Sequence, residues 1–332
     1  MKTKNVRGRV TLTEVGIGCA QYGNYNTPVS EEDTLLATQT AWDQGIRYFD
    51  TAPHYGLGLS EERLGRAVAG LPRDQVVIST KVGRVLIPSP ERAHLMDDGG
   101  FAVPAAYRRE FDFSRDGILK SFEDSLKRLN LDYIDILYLH DPDKHWESAS
   151  TSGIQALIEL RDQGVVKAIG AGMNQCEMLT RFIKETDVDL VMLAGRFTLL
   201  EQKALDELLP AAIDKNVGVV CVGVYNSGIL SRDRPNSTLS YDYAPASEAL
   251  IQRANHIADI CERYGVSLPE AAIQYPHSHP AVVSTVVGVR SREHVLENLR
   301  RFRKEIPHKL WQELDAQGLC ADLSAFVQIE EK

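Results

Sequence analysis

The chain has 332 residues, 43% of them hydrophobic and 25% charged, a composition that supports a packed core and excludes intrinsic disorder. Its formal net charge of -9, with no run of Lys and Arg to break the acidic balance, opposes phosphate backbones and anionic bilayers; nucleic acid and membrane surfaces are excluded as expected partners. Cys19, Cys176, Cys221, Cys261 and Cys320 are far apart and form no C-x-x-C pair, and no stretch approaches the roughly 18 apolar residues of a membrane span, so the expectation is a reducing, cytoplasmic setting.

Along the chain, a short β-branched or apolar run is followed by a longer segment of helical periodicity, and the pair repeats eight times. The strands fall at 14–19, 46–50, 76–81, 133–140, 165–171, 190–193, 218–222 and 283–287; the helices fall at 31–42, 60–68, 114–129, 152–163, 175–185, 203–215, 247–264 and 291–299. Ser30, Ser60 and Ser114 read as helix caps, and Pro269 opens a further short helix. Eight alternations without a composition break predict a (β/α)8 barrel, one α/β domain over residues 1–332. A doubly wound sheet is the alternative, but Gly16-Ile17-Gly18-Cys19-Ala20-Gln21 and Gly170-Ala171-Gly172-Met173-Asn174-Gln175 both lack the last glycine of a dinucleotide fingerprint. The segments 84–115 and 230–245 are too long and too rich in Pro and Gly for ordinary connections and are expected above the C-terminal rim; the helix near 307–316 follows the eighth unit and is expected at the barrel bottom or rim.

Reactive side chains at the C-terminal ends of barrel strands face the pocket that the βα loops build. That rule selects Asp50, Lys81 and His140, with Tyr55 in the loop after Asp50. Each alone also reads as a turn cap, a solvated strand end, a core histidine or a packing aromatic. Together they make chemical sense: a phenol exchanges protons poorly near neutrality, a neighbouring ammonium favours its phenolate, and a carboxylate holds that ammonium in place. His140 would orient a substrate oxygen. His54, His140, Asp141, Asp143 and His145 also admit a metal reading, but no H-x-H pair or H-E-x-x-H helix supports it and Lys81 opposes a bound cation; no metal is expected.

Phe49-Asp50-Thr51-Ala52-Pro53-His54-Tyr55-Gly56, Ser60-Glu61, Leu64-Gly65, Ser79-Thr80-Lys81-Val82-Gly83 and Leu139-His140-Asp141-Pro142 resemble the aldo-keto reductases across essentially the whole chain. The resemblance implies that Asp50, Tyr55, Lys81 and His140 form the catalytic tetrad, that Tyr55 is general acid in reduction or general base in oxidation, and that a nicotinamide cofactor binds at the barrel mouth. By the same resemblance, Gly18 and Gln21 are cofactor contacts and Asn174 hydrogen-bonds the nicotinamide amide, although Met173 and Ala194 stand where a serine and a glutamine are commoner. Gly223, Ser227, Gly228 and Leu230 belong to the pyrophosphate loop, whose small residues let backbone amides approach the anion. Gly288, Arg290, His294, Glu297 and Asn298 form the adenosine segment. Gly288 and His294 replace two cations that many NADP-dependent members set against the 2'-phosphate, which favours NAD and leaves NADP, through Arg290 or Arg292, as the alternative.

Further stretches, among them 140–143, 169–175, 194–201 and 226–230, resemble the bacterial aldose dehydrogenases acting on L-fucose-type sugars and pyridoxal 4-dehydrogenase. This implies oxidation of a small aldose at C1, with a pyridoxal dehydrogenase or a broad aldehyde and ketone reductase as the alternatives. Tyr22, His54, Asp141, Asp143, His145, Trp146 and Arg196 are the expected substrate contacts. Barrel-shaped potassium-channel β subunits, which resemble the same family, supply a non-catalytic reading in which the chain senses nicotinamide; the complete tetrad argues for turnover instead. The expected partner is a small molecule, and the oligomeric state is not legible.

Overall fold

The computed structural model describes residues 1–236, 238–242 and 244–322; residues 237, 243 and 323–332, which the one-domain reading included, lie outside the described residues. Eight parallel strands close into a barrel: β1 (Val15–Gly18), β2 (Tyr48–Asp50), β3 (Val77–Val82), β4 (Ile134–His140), β5 (Val166–Met173), β6 (Leu190–Ala194), β7 (Gly218–Val222) and β8 (Val282–Gly288). Each pairs with the next in sequence, and β8 returns to β1 with Thr285 opposite Val15 and Gly288 opposite Gly18. The (β/α)8 fold follows from the β-branched runs, which suit strands buried on both faces, and from the helical segments between them, which cover the outer face.

The predicted helices form with small shifts at their ends. Ser30 and Ser114 accept the amides of Asp33 at 3.0 Å and Gly117 at 3.1 Å, and Ser267 with Glu270 forms a capping box ahead of Leu268–Gln274. Ser60 is different. The helix Leu59–Val68 begins one residue earlier, behind Gly58, and the buried Ser60 hydroxyl donates instead to the Cys19 carbonyl at 2.7 Å, tying this helix to the end of β1. The segment expected at 203–215 divides into a short 3-10 turn, Lys203–Leu205, and the helix Leu208–Lys215.

Among the described residues three antiparallel strand pairs lie outside the repeat; the shortest, Ser240–Tyr241 with Ala244–Pro245, belongs to the long loop after β7. The first, Thr3–Val6 with Val10–Thr13, sends Val6, Val10 and Leu12 into the barrel interior beside Ile136, Leu190 and Val283. It closes the bottom of the barrel, whereas the helix His308–Ala316 packs on the outer helix Glu248–Arg263, with Leu310 and Leu314 buried. The second, Arg84–Pro88 with Tyr107–Phe111, rises from the end of β3 over the opposite mouth. Among the described residues no helix is long and apolar enough to cross a membrane.

Candidate active site

Barrel register places Asp50, Lys81 and His140 in one layer. Asp50 pairs with Ser79 on β3, and Lys81, two residues on, points to the same interior face. Tyr55 arrives from the turn after β2, where its amide donates to the Ala52 carbonyl at 3.0 Å. The Lys81 ammonium makes three bonds: to Asp50 Oδ2 at 2.7 Å, to the Thr51 carbonyl at 2.9 Å and to the Tyr55 hydroxyl at 3.2 Å. Asp50 and Lys81 are 3% and 2% exposed, so the pair is shielded from solvent screening. The His140 ring stands edge-on to Tyr55 with centroids 6.1 Å apart, and its Nδ1 is buried without a partner among the described residues.

The electrostatics refine the expectation for the phenol. Burial raises the Tyr55 pKa, Lys81 offsets part of that rise, and Asp50 adds to it; the net position is above an ordinary tyrosine. The lysine alone therefore does not make the phenol readily ionised. Burial disfavours the Lys81 ammonium, yet Asp50 and Tyr55 hold its pKa above the ordinary value. Burial, helped by Lys81 and Arg84, pushes His140 well below its ordinary value, and burial with Arg84 and Arg109 lowers His54 to about 2. Both rings are neutral at pH 7, and neither adds a charge to the site.

These groups form the floor of a cavity of about 860 Å³ at the C-terminal mouth. Gly18, Gln21, Asn174, Gly223 and Gly288 line one side of it. His54, Asp141, His145 and Asp143 line another, and Met173 and Ala194 also face the space. Three of the expected substrate contacts point elsewhere. Tyr22 is fully buried behind the first strand, its hydroxyl 3.0 Å from Thr38, because the 3-10 turn Ala20–Gly23 aims it at the helix Glu31–Asp43. Trp146 packs on Phe182, under the Arg181 guanidinium, on the outer helical layer. Arg196 is tied to Asp242 at 2.5 Å and to Tyr241 at 3.3 Å, where it anchors the long loop after β7. Their place is taken by residues that sequence reasoning left out: Tyr25, Arg84, Phe101 and Phe111. Arg84 lies over the Phe111 ring and reaches Asp141 at 3.4 Å, while Arg109 bonds the His54 carbonyl at 3.0 Å and Asp97 at 2.6 Å, locking the hairpin to the Tyr55 turn. The Pro- and Gly-rich length of 84–115 was the one available signal.

The cavity wall suits a nicotinamide dinucleotide. Gln21 Oε1 is buried without a partner among the described residues, and a Cβ on Gly288 would stand 2.8 Å from it, so a side chain there would fill the slot. Asn226, Ser227 and Gly228 follow one another with positive φ of 45°, 55° and 92°, a tight curl of backbone in which the Asn226 and Gly228 amides donate to the Gly223 and Tyr225 carbonyls at 2.8 and 3.0 Å. Ser227 and Gly228 lie on this curl, whereas the Leu230 side chain is buried in the core and only its backbone, bonded to the Tyr225 carbonyl, belongs to the loop. Tyr225 donates to Asn298 Oδ1 at 2.9 Å, which joins this loop to the helix Arg292–Phe302. On that helix Glu297 pairs with Arg300 and Arg301, and Arg290 just before it reaches Thr27 at 3.3 Å. His294 is exposed at the rim, with its pKa lowered by partial desolvation and by Arg290.

Comparison with known proteins agrees with this geometry. Over 308 residues the chain is 46% identical to the D-threo-aldose 1-dehydrogenase of a Pseudomonas species, covering 92% of this chain and 94% of the relative. It is 39% identical over 339 residues to the pyridoxal 4-dehydrogenase of Microbacterium luteolum, covering 96% and 98%. Among solved structures, an aldo-keto reductase of Bacillus halodurans superposes with a TM-score of 0.74 at 23% identity, covering 97% of each chain. The glycerol dehydrogenase of Gluconobacter oxydans gives 0.76 at 22%, covering 98% and 96%; both share the barrel. Residues 14–318 match the aldo/keto reductase family, and the chain, which belongs to that family, is an NAD(P)-dependent oxidoreductase acting on a small molecule.

Proposed function

We propose that the cavity accepts a small aldose in its cyclic form, an L-fucose-type sugar, and that the chain oxidises it at C1. The observation that carries this reading is the Tyr55 hydroxyl, 3.2 Å from the Lys81 ammonium at the floor of a polar-rimmed cavity. A nicotinamide held by the residues of the cavity wall would supply the acceptor for the C1 hydride. Tyr55, as the phenolate that the Lys81 ammonium stabilises, takes the proton of the C1 hydroxyl and becomes the neutral phenol, and Asp50 keeps the ammonium in register. His140, neutral, hydrogen-bonds the same substrate oxygen and so fixes the hydroxyl in line with Tyr55.

His54, Asp141, Asp143 and His145 supply bonds to sugar hydroxyls, and a site built for such bonds rejects analogues that lack them. The apolar wall of Tyr25, Phe101 and Phe111 would lie against the C–H face of the ring. The 46% identity to an aldose dehydrogenase, above the 39% to the pyridoxal enzyme, favours the sugar; the same apolar wall supports pyridoxal as the second reading. Gln21, Asn174 and Gly18 hold the nicotinamide end, the loop with Gly223, Ser227 and Gly228 the pyrophosphate, and the segment from Gly288 and Arg290 through His294 and Glu297 to Asn298 the adenosine. His294 is neutral and Gly288 bears no charge, so a 2'-phosphate meets fewer cations there and NAD is the preferred cofactor.

The test follows reduced-nicotinamide absorbance while L-fucose, D-arabinose, L-galactose and pyridoxal are offered with NAD and then with NADP. The sugars should turn over with a higher kcat/KM than pyridoxal, and NAD should be the better cofactor. Faster turnover of pyridoxal would replace the substrate assignment, and tight cofactor retention with no turnover would favour a sensing role.

A further inference from the structure

Strand periodicity sends residues two apart to the same face. The residues two positions before Asp50, Lys81 and His140 are Tyr48, Ser79 and Tyr138, so the layer beneath the tetrad carries three hydroxyls. All three are fully buried in an interior otherwise built from Ile136, Leu190, Val220 and their neighbours. A hydroxyl in such surroundings costs free energy unless it is bonded. Here each is: Ser79 Oγ donates to Asp50 Oδ1 at 2.7 Å, Tyr48 lies 3.0 Å from Ser79, and Tyr138 lies 3.3 Å from Tyr48.

The proton count fixes the direction. Ser79 has one hydroxyl hydrogen and gives it to the carboxylate, so it accepts from Tyr48. Tyr48 has then spent its own hydrogen and accepts from Tyr138. All three hydroxyls donate toward Asp50, a polarised chain in which each bond strengthens the next. The barrel makes room for it: a Cβ on Gly16 would meet the Tyr48 ring at 2.7 Å, and one on Gly170 would come within 3.2 Å of the Tyr138 ring. Asp50 thereby receives the Lys81 ammonium on one oxygen and the hydroxyl chain on the other.

We propose that Ser79, Tyr48 and Tyr138 are positioning residues that set the proton affinity of Tyr55 through Asp50. Drawing negative charge from Asp50 down the chain leaves the carboxylate a weaker counter-ion, so more of the ammonium field reaches the phenol. Loss of the chain concentrates charge on Asp50, neutralises Lys81 more completely and raises the pH at which Tyr55 accepts a proton. The inference rests on Tyr55 being the proton acceptor in oxidation.

The experiment compares the pH dependence of kcat/KM for sugar oxidation in wild type, Tyr48→Phe, Tyr138→Phe and Ser79→Ala, with thermal unfolding and cofactor quenching of tryptophan fluorescence measured beside it. The rising limb should move to higher pH by about half a unit or more in Ser79→Ala, less in Tyr48→Phe and least in Tyr138→Phe, following distance along the chain. Limbs superimposable on wild type in whichever variants fold, whatever their melting temperatures, would reduce the phenols to barrel filling. Tyr55→Phe separates the two readings. If it keeps near-normal turnover, the functional reading fails; if it is inactive while the other three titrate as wild type, only this inference fails.

Discussion

Buried carboxylates occur at both ends of the barrel, and their partners differ. At the bottom, Asp189 accepts the Ile169 amide at 3.0 Å and Arg161 at 3.0 Å, with Arg9 at 3.0 Å and Arg7 at 3.4 Å. Asp135 likewise accepts the Ile78 amide at 2.9 Å, with Arg73 at 2.8 Å and Lys167 at 2.7 Å. These bonds pin strands to one another and leave nothing facing a ligand. At the mouth, Asp50 is as well satisfied, but its partner Lys81 spends its third bond on a phenol that faces the cavity, beside His140 Nδ1 and Gln21 Oε1, which have no partner among the described residues. Buried charge at the bottom holds the fold, and buried charge at the mouth is aimed at a cavity, where the proposed reaction would use it.

The sharpest way to break this comparison is to remove one group from each end. Tyr55→Phe should lower kcat by about 10²–10⁴-fold while thermal unfolding and cofactor quenching of tryptophan fluorescence stay near wild type. Turnover within a few-fold of wild type would show that the mouth cluster is structural after all. Asp189→Ala should do the opposite. It leaves the buried Arg161 guanidinium with only Asp187 as a counter-charge, and stability in urea should fall by about 3–5 kcal/mol. The folded enzyme should keep its kcat; a large loss of kcat with unchanged stability would refute the division of labour.

How far this division was legible in the sequence depends on what placed each residue. Strand-borne groups were legible because register and period-2 alternation fix where they point: Asp50, Lys81 and His140 meet as expected, and Gly18, Asn174 and Gly288 line the cavity from strand ends. Loop-borne groups were not. Tyr22 and Trp146 have the chemistry of a binding wall, but the 3-10 turn buries one and the outer helix layer engages the other. The wall instead comes from Phe101 and Phe111, whose approach depends on the Arg84–Pro88 hairpin and the Arg109 bonds that hold it. No local pattern in 84–115 specifies those contacts. The N-terminal hairpin escaped for a similar reason: its alternating Val10, Leu12 pattern is too short to announce a strand pair, and its role as a plug exists only once the barrel closes.

A smaller effect sharpens the contrast through pH. Burial lowers His54 to about 2 and His277 to about 3, and holds His140 well below its ordinary value, so the folded protein keeps all three neutral where the unfolded chain would bind protons. Their contribution is fully present above about pH 6.5, the unfolded value, and is lost as the pH falls toward the folded values, by up to about 1.4 kcal/mol per pH unit for each histidine. His277 lies far from the mouth, against Phe302. His277→Phe should therefore flatten the decline in stability between pH 6.5 and 4.5 by about one proton's share without changing the pH profile of kcat/KM. An unaltered slope would mean that His277 already binds its proton in the folded state.

The mildest expected change concerns cofactor choice, where the proposed adenosine end of the dinucleotide slot can be altered separately from the tetrad. His294→Arg places a permanent cation at an exposed rim position where the native imidazole is neutral. Gly288→Lys adds a second, at a cost, because its Cβ comes within 2.8 Å of Gln21 Oε1 and the glutamine must turn aside. The single His294→Arg variant should thus raise the ratio of kcat/KM with NADP to that with NAD by about tenfold, equivalent to about 1.4 kcal/mol of added phosphate binding. The double variant should raise it further while losing some affinity for both cofactors, because Gln21 is displaced. Neither change touches Asp50, Lys81 or Tyr55, so kcat at saturating cofactor should hold. A ratio unmoved in both variants would place the adenosine end elsewhere on the rim, and a fall in saturated kcat as large as that of Tyr55→Phe would show that the slot and the tetrad are not separable.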